Sequence, residues 1–361
     1  MPDSPAAPAP ASTPEPAPEP LRVAIIGYGL AGAVFHAPLV AAEPRMRVAA
    51  VVTSSTERAE QARAEHPGVR VLAYPDELFA DPGQADLVVV ASPNSSHAPL
   101  AHAALKAGLP VVVDKPMTPT AAQAADLVEA AQQAGLLLSV FQNRRWDGDF
   151  LTIRRLLEEG ELGEVTRFES RFERWRPAPK GGWRETGGPD EAAGLLYDLG
   201  SHIVDQALAL FGPATVLHAE TDVRRPGVKA DDDTFVALKH DSGVRTHLWM
   251  SAVASDLAPR FRVLGAKAAY VKYGLDVQED ALRAGIRPGH PTWGADDPAA
   301  FGTLGVPGAT TTVETERGAY ERYYAGIAAA LLDGAPPPVD PADAVRSLGL
   351  LETARRLAAE S

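Results

Sequence analysis

Between residues 22 and 141 the chain repeats one pattern: a short run that is apolar throughout, a turn, and an amphipathic helical stretch. The runs fall at 22–26, 47–52, 69–72, 86–91, 110–113 and 136–141. A strand without polar alternation has no wet face, so these runs predict a parallel sheet covered by helices on both sides. The fold class expected for this half is α/β, a doubly wound Rossmann-type sheet.

The pattern changes after residue 145. Thr166, Phe168, Ser170 and Phe172 alternate with Arg167, Glu169, Arg171 and Glu173, and similar period-two stretches cover 234–240, 244–250 and 260–264. Alternation predicts antiparallel strands with one face in water. The division expected is a dinucleotide-binding domain over 21–142 and an α+β domain over 143–361, built on a mostly antiparallel open sheet. Helical spacing over 341–360 predicts a last helix packing back on either domain. The first twenty residues hold eight prolines among Ala, Glu and Ser, and 1–20 is expected to be a disordered tail.

Charge narrows the partners. With 34 basic and 47 acidic residues the net charge is −13, which gives no field to attract nucleic acid or an anionic membrane surface. Neither a signal-peptide pattern nor an apolar run long enough to span a membrane is present, so the expected location is cytoplasmic. No cysteine is available for a disulfide or a thiolate metal site, and no histidine or carboxylate spacing suggests another metal centre.

The first strand runs into Gly27-Tyr28-Gly29-Leu30-Ala31-Gly32, followed by a helix of small and apolar residues. This spacing suits a dinucleotide: one glycine for the tight turn, one for close approach of the pyrophosphate, one for packing of helix on strand. No acid ends the second strand to bind a ribose 2′-hydroxyl. Thr53, Ser54 and Ser55 stand there instead, with Arg58 one turn into the next helix. Hydroxyls and a guanidinium suit a 2′-phosphate, which favours NADP, with NAD possible; a helix cap at Ser54 or Ser55 with Arg58 in solvent is the plainer alternative. The fourth strand leads into Pro93, Asn94 and His97, which can line the cofactor at the carboxyl edge of the sheet.

That same edge carries Asp114-Lys115-Pro116 at the end of the fifth strand. Lys115 can donate to a substrate oxygen and stabilise its negative charge, and Pro116 fixes the turn that aims it, through a trans or a cis peptide. Further on, a helix is expected from about Tyr197 to Leu210, stopped by Gly212 and Pro213. It would place Asp198, His202 and Asp205 on one face, where a carboxylate can orient an imidazole that exchanges protons near neutrality. A surface ion pair is the ordinary alternative.

The glycine loop, the Asp114-Lys115-Pro116 turn and the Asp198/His202 helix, in this order, resemble the glucose-fructose oxidoreductase / inositol dehydrogenase / MocA (Gfo/Idh/MocA) family over nearly all of the chain after residue 20. Within it, the sequence is similar to the branch of NADP-dependent scyllo-inositol dehydrogenases, through stretches at 34–39, 143–147, 150–153, 183–185, 271–276 and 293–294. The family usually has Glu-Lys-Pro where this chain has Asp114-Lys115-Pro116.

The resemblance implies an NAD(P)-dependent dehydrogenase acting on CH–OH donors, with Lys115, Asp198 and His202 as the catalytic set. His202 would act as base, Lys115 would polarise the reacting oxygen, and Asp198 would orient the other two or the substrate. Direct hydride transfer to nicotinamide requires no metal. An inositol-like polyol or sugar is the implied substrate, and a homo-oligomer the implied state. The cofactor-binding set expected is Gly27, Tyr28, Gly29, Leu30, Ala31, Gly32, Thr53, Ser54, Ser55, Arg58, Pro93, Asn94, His97, Asp114, Lys115 and Asn143. Arg144, Trp146, Arg176, Arg184, Trp293 and Tyr320 are candidate substrate contacts, with a structural role in the domain interface the alternative for each, and the Gly- and Pro-rich run 281–297 is expected to be a loop over the site. Two other activities known in the family remain open: a nucleotide-binding regulator without turnover, and a glycosidase that retains its cofactor.

Overall fold

The structure, a computed structural model, describes residues 19–188 and 191–360. Apart from Glu19 and Pro20, the expected disordered tail lies outside the described residues. The first sheet consists of β1 (Leu21–Ile26), β2 (Met46–Val52), β3 (Arg70–Leu72), β4 (Leu87–Val90), β5 (Val111–Val113) and β6 (Leu138–Val140). Its order is β3-β2-β1-β4-β5-β6, every pair parallel. The side chains of β4 and β5 are completely buried, as strands covered on both faces must be. Strand order reverses between β1 and β4, and their carboxyl ends open the crevice where ligands of such sheets bind.

The second sheet contains β7 (Val165–Glu173), β8 (Ala214–Asp222), β9 (Asp233–His240), β10 (Arg245–Ser251), β11 (Phe261–Gly265), β12 (Ala269–Lys272), β13 (Gly302–Val306) and β14 (Ala309–Val313). The order is β14-β13-β12-β11-β7-β10-β9-β8, antiparallel except for the β7–β10 pair. One face buries Phe168, Phe172, Leu248 and Met250 beneath the helix Gly200–Phe211. Full burial of such side chains stabilises the fold by about 1.5–3 kcal/mol each. The other face is open, leaving Leu217 exposed and Phe235 and Trp249 half-buried.

The last helix, Pro341–Glu360, packs on both halves rather than one. It lies against Ala121–Ala134 of the first and against β8 and Gly200–Phe211 of the second. Glu352 Oε1 accepts from the backbone N–H of Ala121 at 2.8 Å, at the start of the Ala121–Ala134 helix. Among the described residues no helix is long and apolar enough to cross a membrane.

Candidate active site

The glycine loop divides its labour as the spacing requires. Gly27 has φ +96°, and a Cβ there would sit 2.6 Å from the Ala91 carbonyl oxygen. At Gly32 a Cβ would lie 2.0 Å from the Gly27 carbonyl oxygen, so the helix can approach the strand only without a side chain. At Gly29 a Cβ would be in no worse than ordinary van der Waals contact, its nearest neighbours being the Arg58 guanidinium atoms at 3.8–3.9 Å. A backbone edge that is bare at Gly29 and closed on either side is what an incoming pyrophosphate needs, so these residues fit a dinucleotide. Leu30–His36 follows as a wide turn before the helix tightens over Ala37–Ala42. Ser55 caps the next helix by accepting from the Arg58 N–H, while Ser54 and the Arg58 side chain stay exposed beside the loop. The plainer reading, a helix cap at Ser55 with Arg58 in solvent, is what the structure shows. Thr53 is tied in by its N–H to Leu72 and by its hydroxyl to the Ser55 N–H.

A cleft of about 380 Å³ lies between the sheets, within the range of small-molecule sites. It is lined by Leu30, Ala31, Asp114, Lys115, Asn143, Arg144, Arg176, Arg184, Asp198 and His202 among the expected residues. Lys115 enters from the tip of β5, across a cis peptide to Pro116. Its Nζ donates to Asp198 Oδ1 at 3.0 Å and to the Asp198 carbonyl oxygen at 2.8 Å.

That carbonyl is available because the expected continuous helix is broken. One turn, Leu195–Asp198, ends at Leu199, and Gly200–Phe211 begins anew. The His202 N–H donates to Leu199, so the Asp198 oxygen is left to Lys115. Asp198 and His202 line one cleft without bonding each other. Asp205 is withdrawn from the expected face: its carboxylate takes two hydrogen bonds from Arg145, at 2.8 and 2.6 Å.

Electrostatics separate the roles. Burial opposes ionisation of Asp198, but the charges of Lys115 and Arg184 and the Lys115 hydrogen bond outweigh it and bring the carboxyl down to about 2. His202 is pushed well below its ordinary value, first by burial and then by the charges of Lys115, Arg144, Arg260 and Arg174. Near neutral pH the cleft therefore holds a carboxylate and an uncharged imidazole. Among the described residues the buried His202 Nδ1 has no hydrogen-bond partner. Asp114 accepts from the Lys115 N–H and lies 3.9 Å from His36 Nε2. Burial works against its ionisation, and the nearby His36 imidazole and the charge of Lys115 overcome this to hold it below the usual range.

Several expected contacts stand elsewhere. The Tyr28 ring is buried against the sheet and its hydroxyl bonds Glu65 and His66, so only its backbone belongs to the loop edge. His97 is buried with both ring nitrogens engaged, Nδ1 to the Pro116 carbonyl and Nε2 to that of Ser92. It braces the lysine turn instead of lining a ligand. Pro93 is exposed at the loop tip, and Asn94 donates to the Glu191 carbonyl across the domains.

Trp146 stacks edge-on with Tyr323, Trp293 donates to Glu321, and Tyr320 donates to Asp147; none of the three lines the cleft. Their aromatic faces are spent on packing. The run 281–297 is not one loop, since the helix Gln278–Arg283 overlaps its start and only Arg283 reaches the cleft from it. Arg144 is buried and donates to Glu279 at 2.7 Å.

Sequence reasoning overlooked Arg174, Lys180, Arg225 and Arg283, which also line the cleft. Arg174 had a signal: it continues the inward alternation Phe168, Ser170, Phe172 past the end of β7. Among the described residues no cluster of three or more histidines or acids is arranged to hold a metal.

A doubly wound sheet with an open phosphate loop, facing a cleft that holds lysine, carboxylate and neutral imidazole, defines an NAD(P)-dependent dehydrogenase. Family models agree across both halves: "Oxidoreductase family, NAD-binding Rossmann fold" matches residues 21–142, and "Oxidoreductase family, C-terminal alpha/beta domain" matches 154–361. The chain belongs to the Gfo/Idh/MocA oxidoreductase family.

It is 43% identical to the uncharacterized oxidoreductase YdgJ of Escherichia coli K12, over 92% of this chain and 94% of that protein. Identity to the scyllo-inositol 2-dehydrogenase (NADP(+)) IolW of Bacillus subtilis 168 is 37%, over 92% of each. The crystal structure of the oxidoreductase yvaA from Bacillus subtilis superposes with TM-score 0.89 at 36% identity, covering 95% of this chain and 97% of that one.

Proposed function

We propose that this enzyme is an NADP-dependent dehydrogenase of a cyclic polyol or sugar, with Lys115, Asp198 and His202 as its catalytic set. The observation that carries the reading is the convergence of these three groups in one cleft above the glycine loop. Bound NADP would supply the hydride acceptor.

In the oxidation direction His202, held neutral, accepts the proton of the substrate hydroxyl. Lys115 stabilises the negative charge that grows on that oxygen. Asp198 holds the ammonium by two hydrogen bonds, side chain and carbonyl, so that it is already aimed before substrate arrives. The bare Gly29 edge would take the pyrophosphate, and Ser54, Ser55 and Arg58 the 2′-phosphate. Similarity to an enzyme named for NADP and scyllo-inositol supports both the cofactor and the substrate class.

The test follows reduced nicotinamide by absorbance with inositols and aldoses, using NADP and NAD in parallel. The expected result is turnover with at least one polyol, faster with NADP, and a loss of about 10²–10³-fold in kcat for Lys115→Ala. No turnover across the panel, or an unchanged Lys115→Ala enzyme, would sink the assignment. Equal Kd values for NAD and NADP would remove the role given to Ser54, Ser55 and Arg58.

A further inference from the structure

The cleft carries eight cationic side chains against five acidic ones, in a protein whose net charge is −13. Most of the cations are already neutralised. Lys115 and Arg184 pair with Asp198, Arg144 and Arg283 with Glu279, and Arg225 with Asp232 and Glu185. The exceptions sit together: among the described residues Arg174, Arg176 and Lys180 have no hydrogen bond or ion pair from their side chains.

Their position follows from β7. Its inward face is apolar and closed at Phe168 and Phe172, then emerges from beneath the Gly200–Phe211 helix. Beyond the strand's end the same alternation delivers Arg174 and Arg176 into the cleft. The Arg174 guanidinium is half-buried, 5.1 Å from the Phe172 ring, with the cations Arg176 and Arg144 as neighbours; the nearby carboxylates Glu279 and Asp198 are already bridged to Arg144 and Arg283 and to Lys115 and Arg184. A partly desolvated guanidinium without an anion is costly unless a ligand supplies one.

We propose that the substrate is anionic, a sugar or polyol carrying a carboxylate or phosphate that Arg174 and Arg176 bind. The inference rests on the proposed function for the idea that a hydroxylated substrate occupies the cleft, and it adds the charge. Guanidinium groups match both anions by paired hydrogen bonds. Anchoring the anion on the β7 side would fix which hydroxyl faces His202 and Lys115.

The experiment is calorimetric titration of the NADP-saturated protein with glucuronate, glucose 6-phosphate and glucose, for wild type, Arg174→Gln, Arg174→Lys and the exposed-site variant Arg176→Gln. At least one charged sugar is expected to bind about tenfold or more tightly than glucose. Arg174→Gln should abolish that advantage, Arg174→Lys should keep part of it, and Arg176→Gln should reduce it.

Equal affinity for charged and neutral sugars would overturn the inference. So would a loss of NADP affinity in Arg174→Gln as large as its loss of glucuronate affinity, because the anion would then be the cofactor's. Absence of polyol turnover would defeat the proposed function and leave this comparison of affinities standing. Turnover with no preference for charge would defeat this inference alone.

Discussion

Two carboxylates in this molecule, Asp198 and Asp276, are both held partly out of water, yet they titrate in opposite directions. Asp198 has Lys115 and Arg184 as neighbours and falls to about 2. Asp276 takes hydrogen bonds from Gly148 and Gln278, but burial and then the Asp149 carboxylate raise it to about 6. Burial pushes both upward, so the sign is decided by the charge that faces each group. The difference marks two settings: Asp198 anchors the Lys115 ammonium in the cleft, and Asp276 ties together the starts of the helices Gly148–Glu158 and Gln278–Arg283.

The largest expected break in this comparison comes from Asp198→Asn, which leaves Lys115 and Arg184 without their counter-charge. Turnover should fall by about 10²-fold in kcat, measured at steady state. If kcat were unchanged, Asp198 would be a bystander.

Asp276→Asn tests the other pole. A raised folded-state pKa means that the native protein holds this proton more tightly than the unfolded chain does. Its contribution to stability is complete below the unfolded value near 3.8 and is lost as pH rises through about 6. Urea unfolding of the wild type should show this decline between about pH 4 and pH 6, and the variant should flatten it. Asp198 runs the other way: its contribution is present above 3.8 and is lost as pH falls toward 2.

The smallest effect serves as the solvent control. Arg22 pairs with Asp86 at 2.8 Å, with about a third of each side chain exposed. Arg22→Ala should leave the urea-unfolding midpoint nearly unchanged, since water screens such a pair. A larger loss would mean that pairing geometry, rather than burial, sets the scale.

The first sheet was legible because its strands are short, uniformly apolar runs broken by turns, a pattern that few folds allow. Four strands of the second sheet, β8, β12, β13 and β14, were not. Every side chain of β14 and most of β8 remain wholly or partly exposed, so they carry no inward alternation to read. That Lys115, Asp198 and His202 would meet in one cleft was readable from residue type and order.

The break at Leu199 was not identifiable, since it arises from how Gly194 and Asp231 seat the preceding turn: a Cβ at Gly194 would lie 1.9 Å from Asp231 Oδ1, and Asp231 accepts from the Leu196 N–H. Trp146, Trp293 and Tyr320 misled for a simple reason. An aromatic ring suits a core as well as a sugar, and only tertiary packing decides which it gets.

The last helix has a thermodynamic consequence. Because Pro341–Glu360 buries Leu348, Leu351 and Ala354 at the junction of the two sheets, neither sheet keeps its covering when the other is lost. Its hydrogen bond to Ala121 spans 231 positions, a loop whose closure entropy only a formed partner on each side can offset. The two halves are thus energetically coupled through this helix.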